Sequence, residues 1–203
     1  MKTSSKILLI MFLTVFVAYG SSNQTAELDK KAPDFELVDS KGKTHKLNDY
    51  SGKYVVLEWI NFDCPFVVKH YKSGNMQKLQ KEYTDKGVIW LSICSSNKGK
   101  QGYFENDEIN KRITDNKAKM TAYLIDTDGK VGKMYGAKVT PQMYIINKEG
   151  ILVYQGAIDN IKSTDVNDIP KATNYIKEVL DALFSNNPIP TKTTTPYGCS
   201  VKY

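Results

Sequence analysis

An apolar run, Tyr54-Val55-Val56-Leu57-Glu58-Trp59-Ile60, ends in Asn61-Phe62-Asp63 and passes at once into Cys64-Pro65-Phe66-Val67, where a helical pattern begins. A short continuous run rich in β-branched and aromatic residues reads as a buried strand. Its direct passage into a helix commits this stretch to an α/β layer. The junction also sets chemistry. A cysteine at a helix start meets unpaired backbone N–H groups and the positive end of the helix dipole. Both favour the thiolate, which is the reactive form. Pro65 suits the first helical turn, where its missing N–H costs nothing. Val67 stands where a second cysteine would complete a C-x-x-C pair.

The rest of the chain repeats the alternation. Ala32–Leu37 and the turn Asp39–Lys43 predict a hairpin bent at Gly42. A helical pattern runs from Pro65 to about Asp85, with Gly74 as a weak point and Gly87 as its stop. Val88–Ile93 is a second buried strand that leads to Cys94, and its apolar continuity suits a parallel strand covered on both faces. A helix is expected over Tyr103–Ala118, a short strand over Ala122–Ile125 and a short helix over Lys130–Tyr135. Thr140–Ile146 reads as a strand entered through Pro141. Asn147–Gly150 is a hairpin turn and Ile151–Gln155 the return strand. Ala172, Tyr175, Ile176, Val179, Leu180, Leu183 and Phe184 give a closing helix, starting near Pro170, one apolar face. This order implies an α/β sandwich around a mixed sheet flanked by helices.

With 203 residues the chain holds one well-buried core and is short for two. Residues 1–20 carry Lys2 and Lys6 before the apolar Ile7–Ala18 and the small residues near Gly20, the pattern of a secretory signal peptide. The apolar part is shorter than the ~20 residues a bilayer span needs. An uncleaved anchor is the alternative. The division expected is a signal peptide over 1–20, a mobile polar segment over 21–31, a single domain over 32–186 and an extended, proline-punctuated tail over 187–203. Beyond residue 20 the lysines alternate with acids and Arg112 is the one arginine. That is a solvated surface and argues against nucleic-acid binding. Export, periplasmic or secreted, implies an oxidising compartment. Three cysteines, Cys64, Cys94 and Cys199, permit at most one intrachain bond with a thiol left over.

Three further features bear on Cys64. Asp63 beside it works against the thiolate. Glu58 is a carboxylate in an apolar strand; buried, it would be raised in pKa and able to serve the thiol as acid or base, while at a sheet edge it would only meet solvent or a lysine. Val139-Thr140-Pro141 opens a later strand, which suggests a cis peptide beside the thiol, with the backbone of Thr140 free to pair with an extended peptide. An ordinary trans proline on an edge strand is the alternative. His70 lies six residues past Cys64, off the three- or four-residue spacing that shares a helix face, and reads as a surface histidine.

Together these residues resemble the thioredoxin-like superfamily, in its exported redoxin and peroxiredoxin-like branch of AhpC/TSA type. The marks are Ala32-Pro33-Asp34-Phe35, Gly52–Leu57, Cys64-Pro65-Phe66-Val67, Tyr135-Gly136-Ala137 with Val139-Thr140-Pro141, and the closing Gly198–Tyr203. The resemblance implies a thioredoxin-like fold with an N-terminal β-hairpin, Cys64 as the attacking cysteine and Pro141 as the cis-proline facing it. Glu58 falls where thioredoxins place a buried aspartate. The chain departs from true peroxiredoxins at Asn61 and Leu57, which replace their threonine and proline, and Arg112 is a poor match to their peroxide-holding arginine.

The function expected is therefore a thiol-dependent oxidoreductase, exchanging disulfides or reducing peroxide, with no organic cofactor and no metal. Its partner is a thiol or disulfide protein or a small peroxide. Cys199 on a tail long enough to swing is the candidate to resolve Cys64, in the same chain or across a homodimer, and Cys94 is its rival. The alternative is a binding module, either redox-inactive or holding copper through Cys64, Cys199, His70 and Met143.

Overall fold

The computed structural model describes residues 25–203. The signal peptide expected over 1–20 lies outside the described residues, as does the start of the 21–31 segment. Among the described residues no helix is long and apolar enough to cross a membrane.

The expected hairpin forms around Gly42, but its strands β1 (Glu36–Asp39) and β2 (Thr44–Lys46) begin later than Ala32. Pro33 has no N–H to give a ladder, and Ala32 N–H is spent on the carbonyl of Gly150. β3 (Val55–Trp59) is buried along its whole length and leads to helix α1 (Pro65–Lys72). Gly74, at φ 76°, divides the long helical pattern, and α2 (Asn75–Asp85) starts from it. A left-handed backbone there favours glycine over any residue with a Cβ. β4 (Ile89–Cys94) follows. Helix α3 (Asn106–Asp115) is shorter than its pattern, because Tyr103 N–H closes a turn on Lys100 and Lys117 takes a left-handed conformation at φ 50°. β5 (Ala122–Ile125), α4 (Lys130–Tyr135), β6 (Val139–Thr140), β7 (Gln142–Ile146) and β8 (Leu152–Gly156) come next. The last helix, α5 (Tyr175–Phe184), starts later than Pro170. Pro170 sits in a 3-10 turn, and Asn174 caps α5 by accepting from the Lys177 N–H at 3.0 Å. β9 (Cys199–Ser200) closes the chain.

Seven strands form one mixed sheet in the order β2-β1-β5-β4-β3-β7-β8, with β3, β4 and β5 parallel and the remaining pairs antiparallel. Alternation along β3 separates two cores. Val56 packs with residues of α1, α2, α3 and α5, whereas Val55, Leu57 and Trp59 pack with α4 and the N-terminal hairpin. Ile176, Val179 and Leu180 on α5 are fully buried, worth roughly 2 kcal/mol each. This is the thioredoxin-like arrangement anticipated.

Both ends of the described chain are held to the body. In the 21–31 segment, Ala26 N–H bonds Met134 and Asp29 N–H bonds Leu152. The tail is extended as expected but runs along β8, where Gln155 N–H donates to Lys192 and Thr194 N–H donates back to Gln155. It then crosses to the carboxyl ends of the central strands, where its β9 pairs with β6.

Candidate active site

Cys64 is the N-cap of α1. Its backbone is extended, and its carbonyl accepts from Val67 and Val68 N–H, both at 2.9 Å. The turn from β3 is locked by Asn61, whose carbonyl accepts from Cys64 N–H and whose side chain accepts from Asp63 N–H at 2.9 Å. Asn61 thus does structural work at the position where the resemblance had marked a departure. Asp63 is not left to repel a thiolate. Arg112 of α3 holds its carboxylate at 2.6 Å, binds Glu108 through Nε, and lays its guanidinium over the Phe104 ring. Arg112 is therefore engaged with two carboxylates, one of them beside Cys64.

The Thr140–Pro141 peptide is cis, and the Thr140 carbonyl faces the sulfur, accepting from Cys64 Sγ at 3.0 Å. On the other side of β6 the tail supplies a strand in antiparallel register, Val139 opposite Ser200 and Thr140 opposite Cys199. This register brings the two sulfurs to 2.7 Å, with Cys199 N–H also directed at Cys64 Sγ at 3.4 Å. Gly198 permits the approach: at its φ of 146° a Cβ would stand 1.9 Å from the Thr140 oxygen. Cys64 is fully buried, its sulfur against Cys199 and facing the proline-led strand. Among the described residues all three cysteines are free thiols.

The two sulfurs are driven apart in acidity. Burial alone would push the Cys64 thiol up. Hydrogen bonding from Cys199, and from the Val67 and Cys199 backbone N–H groups, outweighs it, and Cys64 is held below the ordinary thiol value. Cys199 is pushed up to about 12, first by burial and then by its hydrogen bond and proximity to Cys64. Of the two sulfurs, Cys64 is thus the one on which a negative charge is favoured.

The other expected residues fare differently. Glu58 is fully buried, as the functional reading required, but it is not brought to the sulfur. Tyr71, Gln80, Trp90 and Ser92 all donate to it, at 2.7 to 3.1 Å, and none of its bonds reaches Cys64. Burial raises its pKa and these donors pull it back part of the way. It ties β3, β4, α1 and α2 together beneath the site. Cys94 turns away into the loop after β4, toward the Gly102 carbonyl at 3.3 Å and Ser96 at 3.5 Å. His70 is a correction. It is fully buried, with Nδ1 bonded to Asn75 and Nε2 3.8 Å from Asp159, and burial lowers its pKa to about 4. The six-residue spacing was read correctly as separating it from Cys64, but the face opposite Cys64 is packed against the loop after β8 rather than wet. His70 does not join the set weighed for copper: it faces Asn75 and Asp159. Among the described residues no three or more His, Cys, Asp or Glu side chains are grouped as a metal site. The reading of the sequence missed Lys69, Asp159 and Tyr197, a buried polar cluster beneath the tail. Nothing local to those residues marks them, since Lys69 meets Asp159 only when α1 packs on the loop after β8, and Tyr197 only when the tail returns.

With this geometry in hand, likeness to known proteins is informative. The thiol-disulfide oxidoreductase ResA of Bacillus cereus is 28% identical over 142 residues, 70% of this chain and 76% of that protein. An uncharacterized conserved protein from Geobacillus kaustophilus superposes with a TM-score of 0.76 at 30% identity, over 87% of this chain and 92% of that one. A hypothetical protein from Sinorhizobium meliloti shares the fold at a TM-score of 0.73 and 23% identity, over 89% of this chain and 96% of that one. The AhpC/TSA family profile matches residues 28–155. A cysteine at the strand-to-helix junction, a cis-proline against its sulfur and this match have one reading: the chain belongs to the AhpC/TSA family, within the thioredoxin-like redoxins.

Proposed function

We propose that this protein is a thiol-disulfide oxidoreductase in which Cys64 is the nucleophile and Cys199 the resolving cysteine. The Cys64 thiolate attacks one sulfur of a partner protein's disulfide, forming a mixed disulfide and releasing the partner's other sulfur as a thiolate. The Cys199 thiolate, its proton lost to solvent, then attacks Cys64 Sγ and releases the partner's second thiolate. The partner disulfide is reduced to two thiols and the enzyme is left with a Cys64–Cys199 disulfide. An external thiol protein returns it to the reduced state. Thr140 and Pro141 shape the face on which the sulfurs meet. The domain over 32–186 is the platform and the tail over 187–203 delivers the second thiol. The leader-like residues 1–20 favour an exported setting.

The observation that carries this reading is the 2.7 Å approach of Cys199 to Cys64 across a paired strand at the cis-proline. Oxidation of the full chain with oxidised glutathione, followed by proteolysis and mass mapping, tests it. A peptide pair joined through Cys64 and Cys199 is expected. A Cys64–Cys94 bond, or glutathione retained on Cys64 with Cys199 free, overturns it.

A further inference from the structure

The tail is fastened close to Cys199 by one buried side chain. Tyr197, two residues before Cys199, packs its ring edge-on against Phe66 of α1 and donates its hydroxyl to Asp159 Oδ1. Asp159 is 2% exposed. Among the described residues Tyr197 is the one side chain that hydrogen bonds it; the other bond is from the Ile161 backbone N–H at 3.0 Å. The two basic side chains facing its second oxygen stand off. Lys69 Nζ lies at 3.6 Å and is spent on the Ile161 carbonyl, and His70 Nε2, at 3.8 Å, has no hydrogen-bond partner among the described residues. A buried carboxylate served this thinly depends on each donor it has. Elsewhere the tail is held by the backbone pairing of β9, by Val201 N–H on the Lys138 carbonyl, by Asn97 N–H on the Lys202 carbonyl, by Thr194 on Tyr154 and Ala157, and by Tyr203 on the Ala137 carbonyl.

We propose that Tyr197 and Asp159 are positioning residues for the resolving cysteine, a latch that sets how often the tail lifts and Cys64 is uncovered. The inference rests on the assignment of Cys199 as the resolving thiol. Cys64 has no exposed surface while the tail is down, so a partner reaches it only from the lifted state. Lifting breaks the phenol bond and opens Asp159 to water. The hydroxyl of Tyr197 therefore sets the resting fraction of the uncovered enzyme without touching either sulfur.

The test compares iodoacetamide alkylation of Cys64 and Cys94, read peptide by peptide, in full-length chains carrying Cys199→Ser. Adding Tyr197→Phe removes a single oxygen and keeps the ring. Loss of a buried hydrogen bond to a charged group predicts about tenfold faster alkylation of Cys64. Cys94, whose sulfur faces Gly102 and Ser96 rather than the tail, reports general loosening and stays within about twofold. Tyr203→Phe, which removes a hydroxyl at the tail's far end from a neutral carbonyl, gives a smaller rise. An unchanged Cys64 rate, a parallel rise at Cys94, or equal effects of Tyr197→Phe and Tyr203→Phe would each overturn the latch. The glutathione mapping on the chain that retains Cys199 stands apart: failure there removes the resolving assignment, while the alkylation ratio still reports how the tail is held.

Discussion

Cys64 and Cys94 lie beyond or at the ends of neighbouring parallel strands, and both are buried cysteines at the same end of one sheet. Their surroundings differ. Cys64 caps a helix, faces the carbonyl of Thr140 and meets Cys199, whereas Cys94 opens into a polar loop and meets Gly102 and Ser96. A strand end is therefore not enough. The segment after the cysteine decides whether its sulfur gains backbone donors, and the strand that returns to it decides whether it gains a second thiol. The same contrast separates two buried carboxylates. Glu58 takes its donors from three elements of the core, α1, α2 and β4, while Asp159 takes its one side-chain donor from the tail.

The comparison breaks most sharply at the sulfurs. Cys64→Ser should lower disulfide exchange by a factor on the order of a thousand or more, since the attacking group is gone, whereas Cys94→Ser should stay within about twofold; turnover of a disulfide substrate measures both. Equal losses would make the two strand ends equivalent. Cys199→Ser should leave attack intact but slow release on the order of a hundredfold, because an intramolecular thiol is replaced by an external one. Non-reducing mass spectrometry should then show the mixed disulfide accumulating on Cys64. Gly198→Ala forces β9 off β6 to relieve the clash with the Thr140 oxygen. The yield of Cys64–Cys199 disulfide in a glutathione buffer should fall about tenfold, in keeping with strain of roughly 1–3 kcal/mol at such a site.

The smallest effect is a shift along the pH axis. The thiolate of Cys64 is favoured in the fold, so its alkylation should reach half its maximum below pH 9, the ordinary thiol value. Cys199→Ala removes a donor to that thiolate and should move the midpoint upward. Stability follows the opposite sign at Cys199. Its folded pKa is raised to about 12, so the protonated thiol's contribution is whole below pH 9 and is lost as the pH rises toward 12. The urea midpoint of the reduced protein should fall over that window, and Cys199→Ser should flatten the fall.

Much of the scaffold was legible because its signals are local. The apolar continuity of β3 and β4, the break at Gly74 and the proline before β7 each act within a few residues of themselves. Where boundaries moved, a local competitor won: Asn174 capped α5 past Pro170, and Lys117 closed α3 early. His70 was misplaced because helical spacing describes one face relative to another and says nothing of what packs on the second. Glu58 was correctly sensed as buried, but the identity of its donors depends on how α1 and α2 lie over the sheet.

By itself the sequence determined a strand that runs into a cysteine-capped helix, a proline-led strand to face it and a tail bearing another thiol. Those features arise from hydrophobic burial, backbone sterics and helix-end electrostatics, which need only neighbours along the chain. The tertiary structure alone decided that Cys199 and not Cys94 meets Cys64, that Arg112 neutralises Asp63, and that Tyr197 is anchored on Asp159. Each joins residues far apart in sequence, and such pairings are set by the register of strands and the path of the tail.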